Sequence, residues 1–472
     1  MGFLHNHAKK SVGARDAFFR KSRVHRVINF ADLRFQLFEK AHRPTALIMY
    51  GGGGDDGFPY SFDYWAPKAD LNLRIKRVIT LSTADRVRLG VAAVLENPLV
   101  FKQRLWMREP DAKLFGYFAR LPKLGDLAID YGTVSRKRED VRGKWVIGSG
   151  YQPYTGEEED GEEAENPPRI SEFVGALPDL PIGAFERLFQ SSADLEPAPS
   201  NIVRRRGFEA SFRGTRVLIP RGVERNRLRA AYCSEGLTFE DIVQAITVPT
   251  GGEERAKLLA ALLNSRIMIW YAFHGTASFG SDRPEVKQAD LRRLPFPAAS
   301  DLPDARAASE AADQLVAIID AAQARAQAGF ALQQDLGDLL GAIDKLAYQY
   351  FCLSADEIAL IEDTVTSILP ALQPHEGHYP KLWSAPGCSE RKAYAETLAR
   401  SLSDWFPGQN IDARLVALGA DLAVMRLNLD GRAPYQEDLQ TDLAWVLDGL
   451  SEHIHRPLDG NFQLMPDLRV FV

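Results

Sequence analysis

Cysteine is scarce: Cys233, Cys352 and Cys388 are the only three in 472 residues, and they stand far apart. An odd, sparse count excludes a disulfide framework and fits a reducing cytoplasm. None lies at zinc-ligand spacing from a histidine. His375 and His378 form a pair without further ligands, which reads as a turn or surface feature rather than a metal site. No apolar run reaches the roughly 18 residues of a membrane span, so no membrane partner is expected. The opening MGFLHNHAKKSVGARDAFF lacks the apolar core of a secretory signal. Asn6 stands where a myristoylation site has Ser or Thr. These absences together point to a cytoplasmic protein.

Length and segregated charge are what the chain does have. With 472 residues, 45% hydrophobic and 25% charged, it is a globular chain long enough for two or three domains. A net charge of −6 speaks by itself against a nucleic-acid partner. The charges are not mixed, however. Residues 201–230 hold nine Arg against two Glu, whereas residues 157–165 hold seven acids and no base. Such separation allows one face to meet a polyanion while the whole stays acidic.

Hydrophobic patterning gives a coarse order of elements. VHRVINF and TALIMY read as short buried strands around a brief helix, DLRFQLFEKA, with Asp32 as its cap. The glycines of GGGGDDGFP follow as a flexible loop. LSTADRVRLGVAAVLE has an apolar stripe at helical spacing, starting at Ser82 or Thr83, and Pro110 is expected to break the next helical stretch. From 121 to 300, short runs such as KWVIGSGYQP and GTRVLIPRG suggest a β-rich or mixed region containing one strong helix, ERAKLLAALLNSRIMIWYAF. Trp65, Trp106 and Trp270 read as packing residues. Beyond about residue 303 the signal turns helical, with Ser354 and Glu357 spaced as a capping box. Two or three further helices and a terminal strand, LRVFV, are expected. The fold class expected is α+β, multidomain.

Three segments carry a resemblance. RDAFFRKSRVHRVINFADLRFQLFEKAHRPTALIMY resembles the segment that follows the catalytic motif in gamma-type adenine-N6 DNA methyltransferases. WVIGSGYQP, RLRAAYCSEGLTFEDI and LLNSRIMIWYAFHGTASFGSDRPEVKQADLRRLPFP resemble the TaqI-like specificity domain of that family. IDKLAYQYFCLSADEIALIEDTV resembles the helical tail after it. The match covers about residues 14–370, with the segments in the family's order. In that family the S-adenosylmethionine loop and the Asn/Asp-Pro-Pro-Tyr/Phe motif lie upstream of all three. The resemblance therefore implies a C-terminal half: residues 1–60 a fragment of the methyltransferase α/β fold, 61–300 a DNA target-recognition domain, 301–472 a mainly helical region. It implies no cofactor on this chain alone, S-adenosylmethionine on a catalytic subunit that carries the N-terminal half, double-stranded DNA as the other partner, and a role in restriction-modification or phage defence.

The candidate site residues follow. An enzyme that methylates adenine N6 extrudes the base, accepts hydrogen bonds from its amino group and stacks its ring. AENPPRI (164–170) supplies Asn166, Pro167 and Pro168, but Arg169 stands where the aromatic belongs. EEEDGEEAE before it is no buried strand. It reads as the end of an acidic loop, and no catalytic residue is assigned. GGGGDDG (51–57) runs into FPYSFDYW rather than opening a helix, so it reads as a hinge rather than a cofactor loop. Tyr50, at the end of TALIMY, is a candidate for stacking on an extruded base; edge packing suits it equally. Arg204, Arg205, Arg206, Arg213, Arg216 and Arg221, alternating with Phe208 and Phe212, are DNA-binding candidates, since guanidinium forks suit phosphates and guanine edges. The alternative is a solvated face or pairing with the acidic run. Ser278, Ser281, Arg283 and Lys287 are a candidate phosphate grip, or else a connector.

Two other readings of the whole chain stay open: a DNA-binding remnant of a split or truncated methyltransferase gene without activity, and a non-enzymatic helical scaffold whose basic stretch pairs with its acidic loop.

Overall fold

A computed structural model describes residues 2–5, 9–37, 44–52, 58–131, 143–154, 168–281, 284–330, 335–375, 377–384, 386–406, 408–418 and 423–429. The chain is α+β and multidomain, with one compact unit over 1–376 and a second from 377 onward. Among the described residues no helix is long and apolar enough to cross a membrane.

The first sheet joins β1 (Arg23–Asn29), β2 (Ala46–Gly51), β3 (Ser61–Trp65) and β4 (Arg86–Gly90) in the order β2-β1-β3-β4. β1 runs antiparallel to β2 and parallel to β3, and β4 returns antiparallel to β3. Alternation along the strands decides the faces. Val24, Val27, Phe62, Tyr64 and Leu89 turn inward onto Phe19 and Phe101 of the flanking helices Lys9–Lys21 and Val100–Trp106. The Phe19, Phe62 and Phe101 rings lie 5.5–6.2 Å apart, centre to centre. Asn29 donates to the Tyr64 hydroxyl (2.8 Å), which donates to the Phe101 carbonyl (2.6 Å). The boundary expected at residue 60 falls inside this sheet, because β3 and β4 complete what β1 and β2 begin.

Two local expectations change. The stretch starting at Ser82 opens with a 3-10 turn, Thr83–Asp85, capped by Asp85 on Ser82, and then becomes β4 before the short helix Val91–Glu96. Val87 and Leu89 sit opposite Tyr64 and Phe62, so pairing with β3 overrides the helical stripe. The stretch around Pro110 is broken as expected, into the helices Val100–Trp106 and Glu109–Arg120; Pro110 itself occupies the first turn of the second, where its missing N–H has no partner to lose. In the first-sheet segment, helix is described only over Arg34–Leu37, and Asp32 is buried, accepting from the amides of Ala69 (2.8 Å) and Gln373 (2.9 Å) instead of capping.

A six-stranded sheet follows: β5 (Ala128–Asp130), β6 (Trp145–Ser149), β10 (Leu188–Phe189), β12 (Arg216–Pro220), β13 (Ala231–Cys233) and β15 (Val243–Thr247), in the order β10-β13-β12-β15-β6-β5. Both of its faces are covered, which explains continuous apolar runs such as RVLIP. Val217, Ile219, Tyr232 and Ile246 face the helices Glu253–Leu263, Arg266–Gly275 and Ala305–Gln327. Leu218, Ala231, Cys233 and Ala245 face a smaller core around Phe212 and Phe239. The strands β7 (Gln152–Pro153), β11 (Ile202–Arg205) and β8 (Arg169–Ile170) make a small outer sheet, and β9 (Asp179–Leu180) pairs with β14 (Thr238–Phe239).

The helices Leu336–Tyr350 and Ala355–Asp363 share the large core with the six-stranded sheet, through Ala347, Tyr350, Phe351 and Ile361. The boundary expected at residue 301 is therefore no gap in packing. The Ser354–Glu357 capping box is formed, with the Glu357 carboxylate on the Ser354 amide at 2.9 Å. The second unit, expected to be mainly helical, contains the helix Cys388–Trp405 and an antiparallel hairpin, β16 (Ile411–Leu418) and β17 (Ala423–Leu429). LRVFV lies outside the described residues.

Candidate nucleic-acid interface

The Arg-rich stretch divides into an exposed loop and a buried brace. Val203 of β11 is fully buried and anchors the loop's start. Gly207 then turns the chain with φ at +73°, its Cα passing so close to Gly150 that an added Cβ would stand 2.8 Å from that residue's carbonyl carbon. Phe208 stacks on Tyr131, ring centres 4.2 Å apart, and Phe212 is buried against Phe239. Beside these anchors Arg205, Arg206 and Arg213 stand exposed, and Arg204 is half-buried. Alternation with the phenylalanines thus does hold the chain while guanidinium groups reach water. Arg169, on the neighbouring β8, is exposed as well.

Arg216 does not belong with them. It is fully buried in β12 and donates to the carbonyls of Gly214 (2.6 Å) and Glu235 (2.5 Å), so DNA cannot reach it. Burial draws its basicity down. Arg221 is half-buried and committed to Ser149 (3.4 Å) and Asp241 (3.9 Å). Arg227 and Arg229, later in the same stretch, bind Asp344 and Glu224.

Among the described residues the expected phosphate grip is not assembled. Ser281 is buried, and its hydroxyl donates to the Ala277 carbonyl at 2.7 Å. Ser278 is half-buried. Lys287 is exposed beside Glu285 (3.0 Å), and the Asp290 carboxylate accepts from the Lys287 amide at 3.1 Å, so a carboxylate already occupies the place a phosphate would take. Arg283 lies outside the described residues, as do Asn166, Pro167 and the acidic run 157–165.

Tyr50 is 60% exposed at the end of β2, with one edge against Phe18 (5.1 Å, 75°). Among the described residues β2 is the edge strand of the first sheet, paired only with β1. Its outward residues Leu47 and Met49 are each 48% exposed. On the same outer face Arg26 stacks on Trp65, 3.7 Å from the ring centre, and Asp63 holds both Arg26 (3.3 Å) and Arg88 (3.4 Å). Sequence reasoning missed this face by taking Trp65 for core. The signal was there in SFDYW, whose period-two alternation puts Asp63 and Trp65 on one side.

No family model matches the sequence, and no curated protein does. Among solved structures, the chain is similar to the type IIG restriction endonuclease BpuSI (TM-score 0.23, 9% identity, covering 74% of this chain and 46% of that one). It is also similar to the type IIL restriction-modification enzyme MmeI in complex with DNA (TM-score 0.32, 12% identity, 72% and 45%). The chain spans less than half the length of either.

Proposed function

We propose that this chain is the DNA target-recognition half of an S-adenosylmethionine-dependent adenine-N6 DNA methyltransferase, acting with a catalytic subunit in restriction-modification or phage defence. The observation that carries the proposal is the edge of the first sheet. β2 presents Leu47, Met49 and Tyr50 to water on a strand whose outer side has no neighbouring strand among the described residues. An apolar open edge is a template for another chain's strand. β1 and β2 are the segment that resembles the end of the methyltransferase sheet, so the strand that fits is the catalytic subunit's. That subunit supplies the S-adenosylmethionine loop and the Asn/Asp-Pro-Pro-aromatic motif that holds the flipped adenine. This chain contributes DNA binding through Arg205, Arg206 and Arg213, which suit phosphates and guanine edges alike.

The test is cofactor binding and DNA methylation by this chain alone and after mixing with a methyltransferase half carrying those motifs. The expected result is DNA binding without cofactor binding for the chain alone, and methylation at adenine N6 only for the mixture. Methylation by the isolated chain would sink the proposal, and so would failure of the two halves to associate. Leu47→Asp with Met49→Asp is expected to abolish association while leaving DNA binding by this chain intact.

A further inference from the structure

Between β3 and β4 the chain carries LNLRIKRVIT (71–80), in which an exposed apolar series is interleaved with cations. Ile75 is 72% and Val78 54% exposed, with Leu71 and Ile79 also open to water. Arg74 and Lys76 flank Ile75, and Arg77 precedes Val78. No acid occurs from 71 to 84. The acids that flank this run are Asp70, which accepts from the Leu73 amide, and Asp85, which is buried against Ser82 and Lys68. Arg86 continues the basic surface and reaches back to the Leu81 carbonyl (3.3 Å), with exposed Arg88 beyond it.

This segment is built, not loose. Leu73 is buried, and its amide donates to Asp70 (2.8 Å). Asn72 donates to Thr80 across the base of the loop (3.3 Å). Arg77 sits in the left-handed region (φ 57°) and donates its amide to the Leu73 carbonyl (3.1 Å), closing the turn with Ile75 at the tip. Contiguous apolar side chains held in water by a folded loop mark an interaction site. A protein partner fits poorly, because burying Ile75 would also strip water from Lys76 and Arg77 at its side, and lysine is depleted from the centres of protein interfaces. Duplex DNA satisfies both kinds of side chain at once: phosphates take the cations, and a parted base step takes the apolar tip.

We infer that residues 71–79 are a DNA wedge, whose cations clamp the phosphates of one groove while Ile75 and Val78 enter the stack and part a base step. The inference rests on the DNA-binding reading above and extends it, since extruding a base requires its neighbours to be unstacked.

The test uses the full chain and mixed-sequence duplexes. Ile75→p-benzoylphenylalanine, irradiated on a labelled duplex, is expected to crosslink to DNA, whereas the same group placed at exposed Ala321 does not. Duplexes containing 2-aminopurine should brighten when the wild type binds. I75S/V78S should keep affinity within about threefold and lose the brightening, while K76E/R77E should weaken binding about tenfold or more at 0.1 M salt. Binding with neither crosslink nor brightening overturns the wedge alone and leaves the DNA reading standing. A crosslink from position 75 to an associated protein or to anionic vesicles instead of DNA overturns it too. No DNA binding at all overturns both.

Discussion

Arg227 grips the Asp344 carboxylate with both terminal nitrogens, joining the end of the Arg-rich stretch to a helix 117 residues further on. The same carboxylate accepts from the Arg266 amide (2.9 Å), and Arg227 also donates to the Asn264 carbonyl (2.9 Å). Both side chains of the pair are nearly buried. Part of what reads as a basic patch is thus an internal brace between the six-stranded sheet and the helix Leu336–Tyr350.

Removing one partner of such a pair strands a charge away from water, which typically costs about 3–5 kcal/mol. Asp344→Ala is therefore expected to lower unfolding free energy by about that much in urea titrations, without changing DNA affinity per folded molecule. A reduction below about 1 kcal/mol would mean that Arg227 finds water or another acceptor, and that the brace is weaker than its geometry.

The exposed arginines predict the opposite pattern. Replacing Arg205, Arg206 and Arg213 together by Ala should leave stability nearly unchanged and weaken DNA binding. Each phosphate left without its arginine should flatten the slope of log affinity against log salt by about 0.9, so roughly three in all. Arg216→Ala should instead unfold the second sheet locally, because the carbonyls of Gly214 and Glu235 lose their donor in a buried place. An unchanged salt slope in the triple variant, measured by fluorescence anisotropy, would remove this loop from the interface.

The contrast between these arginines marks where the sequence is legible. Period-two alternation and apolar runs locate β1, β2, β6 and β12, because strand patterning is local. The capping box at Ser354 is legible for the same reason. Whether Arg205 or Arg216 stays open to water depends on whether a second layer covers the strand, and that layer comes from Glu235, nineteen residues away from Arg216. β4 reads as helix from sequence because its decisive partner, β3, is a tertiary neighbour. The wedge is not legible there for a related reason: apolar spacing alone does not tell buried Leu73 from exposed Ile75 and Val78. Charge segregation singles out the stretch 201–230, but several of its cations are held by acids and carbonyls of the same unit.

Lys102 gives the fold a pH dependence. Its ammonium group is wholly buried, donates to the Phe273 carbonyl (2.6 Å), and burial draws its pKa from 10.5 to about 7. His5 from the short helix Gly2–His5 and His274 from Arg266–Gly275 face it, and both are held well below the ordinary histidine value, by burial first and by the Lys102 charge second. Between pH 7 and 10.5 the unfolded chain binds this proton and the folded chain releases it, so stability rises with pH through that window. The slope reaches at most about 1.4 kcal/mol per pH unit. Half-buried Lys68, drawn down to about 8, adds a slope of the same sign, so the informative quantity is the difference between wild type and Lys102→Met. That difference should shrink by roughly 3–4 kcal/mol from pH 7 to 10, with the variant the more stable at pH 7 if methionine fills the space. Below pH 6.5 both proteins should weaken further as His5 and His274 are forced to charge, and the methionine variant less steeply, since it lacks the neighbouring cation. Parallel stability profiles for the two proteins in urea titrations at pH 7, 8, 9 and 10 would show that Lys102 reaches water in solution and stays protonated.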